Sequence, residues 1–132
     1  MAPEEQVMTA TFTPAGLEDL DLLVELTRRL GLEDPSVVTE TVGGVNRQTQ
    51  VPFDEDRARA AIAGLLDAPS LGRIWVIRRQ GLGIGYVVLA FGYSVEEGGR
   101  VGFVDEIYVA AEHRGRGSGR RRSRSWSRPV AR

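Results

Sequence analysis

The chain has no cysteine and no lysine; all 17 of its basic residues are arginine. Without thiols there is no disulfide framework and no thiolate nucleophile. Without lysine there is neither a Schiff-base amine nor the phosphate-binding lysine of a P-loop. The single histidine, His113, excludes a multi-histidine metal site, so no metal is expected and this residue reads as a solvated turn position. No apolar run approaches the roughly 18 residues of a membrane span, which predicts no membrane partner. Met1-Ala2-Pro3-Glu4-Glu5-Gln6 lacks the apolar core of a leader peptide. Together these absences predict a cytoplasmic protein. One end also lacks acid: all 18 acidic residues lie at or before Glu112, whereas residues 114–132 carry eight arginines. The net charge of -1 therefore hides an anionic body and a cationic tail.

What is present reads as one domain, since 132 residues with 42% hydrophobic content support a single core. Residues 7–12 alternate as a first strand. Thr13 then caps a helix with Pro14 at its first position. Leu17, Leu20, Leu23, Val24 and Leu30 form that helix's apolar stripe, and Gly31 is expected to stop it. Residues 32–52 mix Val, Thr, Gly and Pro without a period and read as a loop or irregular helix that either lines a substrate groove or is a passive connection. Asp54 is the expected N-cap of a second helix carrying Ala58, Ala61, Ile62, Leu65 and Leu66 inward, with Pro69 marking its end. Strands are predicted over 73–79, 84–91 and 100–109, joined by turns at Gln80-Gly81 and Glu96-Glu97-Gly98-Gly99. Strand, two helices and an antiparallel meander predict an α+β layered fold with helices packed on a mixed, largely antiparallel sheet.

The last strand carries two adjacent carboxylates, Asp105 and Glu106, and runs into the turn Glu112-His113-Arg114-Gly115-Arg116-Gly117-Ser118-Gly119. Glycines without side chains let backbone N–H groups close around anionic oxygens, so this turn suits a phosphate-bearing ligand with an acid/base group beside it. The alternation of Gly81, Gly83 and Gly85 is not a dinucleotide fingerprint, because a strand rather than a helix follows it.

With Arg114, Gly117 and Gly119 meeting an Arg/Gln-x-x-Gly-x-Gly/Ala signature directly after a carboxylate-bearing strand, residues 7–120 resemble the GNAT superfamily of acetyl-CoA-dependent N-acetyltransferases. The resemblance implies an α/β/α layered acyl-CoA N-acyltransferase fold and acetyl-CoA as cosubstrate. It implies that Gly115, Arg116, Gly117, Ser118, Gly119 and Arg120, with Arg114, surround the coenzyme A pyrophosphate. It further implies that the backbone of Ile107, Tyr108 and Val109 pairs with the pantetheine arm and aims an N–H at the thioester carbonyl. The acceptor is then a small-molecule or peptide amine, whose proton needs a base; Asp105 and Glu106 are the candidates, with Glu106 favoured by the family's habit at this strand position. Neighbours on a regular strand face opposite sides, and a bulge would let both reach the groove.

Past Gly119 the family continues with further helices and strands, whereas this chain ends in an Arg/Ser-rich string without an apolar stripe. Residues 1–120 thus read as an incomplete GNAT domain, truncated or frameshifted after the signature, and 121–132 as a basic tail that is disordered or non-native. The sheet is expected to end at the 100–109 strand with Ile107 and Val109 exposed, which predicts a homodimer covering that edge. Trp75, Tyr86, Phe91 and Phe103 read as packing residues and Tyr93 as groove lining. A competing reading makes the Arg/Ser tail, with Trp126 as a stacking group, a nucleic-acid binder. The acidic body argues against that partner.

Overall fold

The computed structural model describes residues 9–114 and, as backbone, residues 125–129. Its sheet is built around the expected meander: β4 (Gly72–Arg79), β5 (Leu82–Ser94) and β6 (Gly99–Val109). Gln80 and Gly81 both take positive φ, at 52° and 80°, which is the two-residue hairpin turn whose twist matches the flanking strands. β1 (Thr11–Pro14) adds to β4 and β7 (Ser125–Pro129) to β6, giving the order β1-β4-β5-β6-β7 with every pairing antiparallel.

The first strand begins later than its alternation suggests and includes Pro14, which stands opposite Trp75 at the end of an edge strand, where a missing N–H is tolerated. Thr13 does not cap a helix. Its hydroxyl accepts from Arg78 Nε at 3.1 Å, and the same guanidinium donates to Asp19 Oδ1 at 2.8 Å. Asp19 Oδ2 accepts the Gly16 N–H at 3.0 Å, so a short 3₁₀ turn, Leu17–Asp19, starts the helical segment. Helix α1 (Leu20–Glu33) follows, and it buries Leu23, Val24, Leu26 and Leu30, whereas Leu17 is 65% exposed. Gly31 does not stop α1; the helix runs two residues further. Helix α2 (Glu55–Leu66) starts where expected, with Asp54 Oδ1 accepting the Arg57 N–H at 3.1 Å.

Residues 32–53 hold the largest departure from expectation. They contain a hairpin, β2 (Ser36–Val42) and β3 (Val45–Val51), turning on Gly43 and Gly44 at φ 58° and 80°. Two consecutive positive φ values are what a two-residue primed turn demands and glycine supplies. Every residue of both strands is exposed, including Val37, Val38, Val42 and Val45.

Both helices pack on one face of the sheet. Leu23, Leu26 and Leu30 of α1 meet Ile74, Val76, Tyr86 and Tyr108, with Ile62, Leu65 and Leu66 of α2 closing the cluster. Each fully buried leucine contributes roughly 1.5–3 kcal/mol. Strand alternation sends Ile77, Val87 and Val109 to the other face, where they join Ile84 and Ala10 in a smaller cluster. Val109 is therefore buried, not exposed as expected. Nor does the sheet end at β6: β7 (Ser125–Pro129) pairs with it from Val101 opposite Pro129 to Val104 opposite Ser125. Backbone pairing needs no apolar stripe, which is why the Arg/Ser composition concealed this strand. Among the described residues no helix is long and apolar enough to cross a membrane.

Candidate active site

The two carboxylates are brought together by a register shift. Val88 of β5 faces Glu106 and the next residue, Leu89, faces Val104, so Asp105 is the extra residue of a β-bulge. In a regular strand Asp105 and Glu106 would point to opposite faces; the bulge turns both into one cavity of about 210 Å³. Leu23 and Thr27 of α1 and Ala58, Ile62 and Leu65 of α2 form its helical walls. Among the described residues no group of acids and His is arranged to hold a metal ion.

Glu106 Oε1 accepts the hydroxyl of Tyr86 at 2.5 Å. Tyr86, 1% exposed, reads from sequence as packing alone, yet it orients the carboxylate that faces the cavity. The signal was available in the pairing: Tyr86 stands opposite Tyr108, and Glu106 lies two residues before Tyr108 on the same face, a diagonal neighbour within reach of a long side chain. Tyr86 and Tyr108 meet edge to face, with centroids 6.2 Å apart.

Ile107, Tyr108 and Val109 lie along β6 beyond the last pairing with β7. Among the described residues β5 is their only neighbouring strand, and no strand pairs with β6 on its other side at 107–109. Tyr108 is fully buried, and its hydroxyl donates to Glu33 Oε2 at 2.5 Å. Burial first, then that hydrogen bond, push its pKa up to about 12. Arg114 turns back onto this strand: its Nε donates to the Val109 carbonyl at 2.8 Å, its guanidinium sits 5.4 Å over the Tyr108 ring, and it is ion-paired with Glu33. Glu112 is held by Arg29 at 2.7 Å, which lowers its carboxyl pKa. Gly115, Arg116, Gly117, Ser118, Gly119 and Arg120 lie outside the described residues.

A larger cavity of about 1160 Å³ opens beside the first, between the hairpin and the two helices. Val38, Val51 and Phe53 give it apolar walls, and Asp54, Glu55 and Asp56, with Arg57 beside them, give it a rim that is acidic on balance. It shares Thr27, Ala58 and Ala61 with the smaller cavity, so the two adjoin. Tyr93 lines neither; it is 77% exposed near the far end of β5. His113 lies by Arg79, whose Nη1 donates to its carbonyl at 3.3 Å.

No curated protein gives a significant match to the chain. Among solved structures it is similar to an integron cassette protein from the mobile metagenome of Cole Harbour salt marsh, at 30% identity and a TM-score of 0.67, covering 89% of this chain and 66% of that one. It is similar in fold to a possible acetyltransferase from Clostridium difficile 630, at 18% identity and a TM-score of 0.65, covering 82% of this chain and 62% of that one. It is also similar in fold to the ribosomal-protein-alanine N-acetyltransferase of Brucella melitensis biovar Abortus 2308, at 21% identity and a TM-score of 0.55, covering 83% and 62%. The chain thus spans less than two thirds of the length of each. Residues 41–121, from the hairpin through the bulged strand to the glycine-rich turn, match the model of the acetyltransferase (GNAT) family, and the chain belongs to that family.

Proposed function

We propose that the protein is an N-acetyltransferase that moves an acetyl group from acetyl-CoA to a primary amine by direct attack. The observation that carries this reading is the bulge at Asp105, which turns two carboxylates into one cavity at the end of β6 that leads into residues 107–109. Acetyl-CoA supplies the electrophilic thioester carbon. An ammonium ion cannot attack, so a base must take its proton; Glu106 is that base, with Asp105 beside it as the alternative acceptor. The hydroxyl of Tyr86 donates to Glu106 Oε1 and orients the carboxylate toward the cavity that receives the amine. The backbone N–H groups of Ile107 and Val109 point away from β5, and one of them stabilises the developing oxyanion, while the Tyr108 backbone lies between them. As the C–N bond forms and the C–S bond breaks, the sulfur leaves as the thiol, with a proton returned to it. Arg114 through Arg120 form the pyrophosphate cradle of the same reading.

The acceptor enters by the larger cavity, its amine reaching Glu106 past Thr27 and Ala61 and its body lying on the hairpin. An acidic rim favours a cationic small molecule or basic peptide.

Calorimetry with coenzyme A and a screen of amines for acetyl transfer test this together. Coenzyme A binding, no response to an oligonucleotide, and a roughly 100-fold or greater loss of rate in Glu106→Gln with cofactor affinity retained are expected. Asp105→Asn is the companion variant. Undiminished turnover in both would remove the carboxylates from the mechanism, and failure of the parent chain to bind coenzyme A would remove the reading as a whole.

A further inference from the structure

We propose that Glu33, at the C-terminal end of α1, is a positioning residue that holds the entrance to the glycine-rich turn in the setting that binds coenzyme A. The inference rests on the reading that this turn holds the pyrophosphate. It starts from a residue that is out of place locally. A carboxylate in the last turn of a helix faces the negative end of the helix dipole, and α1 ends in Glu33 with no basic residue in that turn. Such local conflicts are tolerated where a tertiary partner offsets them. Glu33 is met on each oxygen: Tyr108 donates to Oε2 at 2.5 Å, and Arg114 is paired with Oε1.

Those partners bracket the segment that matters. Tyr108 is the middle of residues 107–109 of β6, and Arg114 is the last described residue before the glycine-rich turn. Arg114 also closes the bracket on itself by bonding the Val109 carbonyl. One turn earlier on α1, Arg29 reaches Glu112 in the short 3₁₀ turn Ala111–His113. The helix therefore grips residues 112–114 at two points of opposite charge, while Arg79 of β4 holds the His113 carbonyl from the sheet side. The two α1 grips differ in quality. Arg29 and Glu112 have side chains 32% and 58% exposed, so water screens them; Arg114 and Glu33 are 23% and 27% exposed, and their bond is the stronger constraint. Glu33 lines neither the cavity around Glu106 nor the larger one beside it. Its loss should therefore act on cofactor affinity and leave the proton-transfer group in place.

Glu33→Gln retains an acceptor for Tyr108 and removes the charge that holds Arg114. The expected result in the intact chain is coenzyme A affinity weakened about tenfold, with the acetyl-transfer rate at saturating acetyl-CoA within about threefold of the parent. Tyr108→Phe keeps the Glu33–Arg114 pair and loses only the hydroxyl; it should lower the melting temperature and weaken coenzyme A binding clearly less than Glu33→Gln does. Glu33→Asp, which keeps the charge but shortens its reach by one methylene, gives an intermediate affinity and serves if Glu33→Gln does not fold. Parent-like binding by either Glu33 variant overturns the proposal. So does an affinity loss in Tyr108→Phe equal to that in Glu33→Gln, since both would then only be reporting stability. A parent chain that does not bind coenzyme A refutes the functional reading instead, and the two failures are distinguishable.

Discussion

Three glycines in this chain should respond to alanine with three different outcomes, because what a new Cβ meets differs at each. At Gly85 it would lie 2.2 Å from the Tyr108 carbonyl oxygen and 3.0 Å from Val109 Cα. Both are backbone atoms of β6, paired there by Gly85 standing opposite Val109. Nothing can rotate away; β5 and β6 must separate. Overpacking costs typically 1–3 kcal/mol and sometimes more, and a clash with two backbone groups in the sheet's centre belongs at the upper end, about 3 kcal/mol. For a 132-residue domain that is a fall in melting temperature of roughly 10 °C. At Gly83 the Cβ would come equally close, 2.3 Å, but to Leu22 Cδ2, the end of a flexible side chain, and the cost should stay under about 1 kcal/mol. At Gly64, inside α2, it meets nothing within 4 Å, so alanine should stabilise by about 0.5–1 kcal/mol through helix propensity. Urea denaturation of the three variants gives the free energies directly. Gly85→Ala should in addition weaken coenzyme A binding, because the strands separate at Tyr108 and Val109. Equal effects at Gly83 and Gly85, or a destabilised Gly64→Ala, would refute the reasoning from close backbone approach.

Further outcomes can be checked separately. Tyr108 holds its proton up to about pH 12 in the folded state against 10 for an ordinary tyrosine, so its contribution is complete below pH 10 and is lost as pH rises from 10 to 12. Chemical denaturation across that range should show the parent losing up to about 2–3 kcal/mol more than Tyr108→Phe; parallel curves would refute the assignment. Replacing Gly43 and Gly44 by valine puts β-branched residues at φ 58° and 80° and should unmake the hairpin turn. Acceptor KM should then rise with coenzyme A affinity unchanged, and a selective loss of coenzyme A binding would separate the hairpin from the acceptor.

How much of this was legible in the sequence follows from the range over which each signal acts. The meander of β4, β5 and β6, the Asp54 cap and the apolar faces of both helices were readable because periodicity and turn chemistry are local. The same is true of the carboxylate pair leading into a glycine-rich turn, which carried the family resemblance. The Gly43-Gly44 hairpin was locally encoded too, but its strands are exposed on both faces and so lack the alternation by which strands are recognised. Tertiary structure decided the rest. Whether Asp105 and Glu106 face one cavity or two depends on a single register shift against β5, and that is a property of strand pairing rather than of either strand's residues. Tyr86 reaches Glu106 across 20 residues of chain, and Arg114 reaches Glu33 across 81. Sequence supplied the donors and acceptors; only the pairing of β5 with β6 and the packing of α1 against β6 selected which of them meet, because the free energy of each pair depends on the burial and distance that the whole fold imposes.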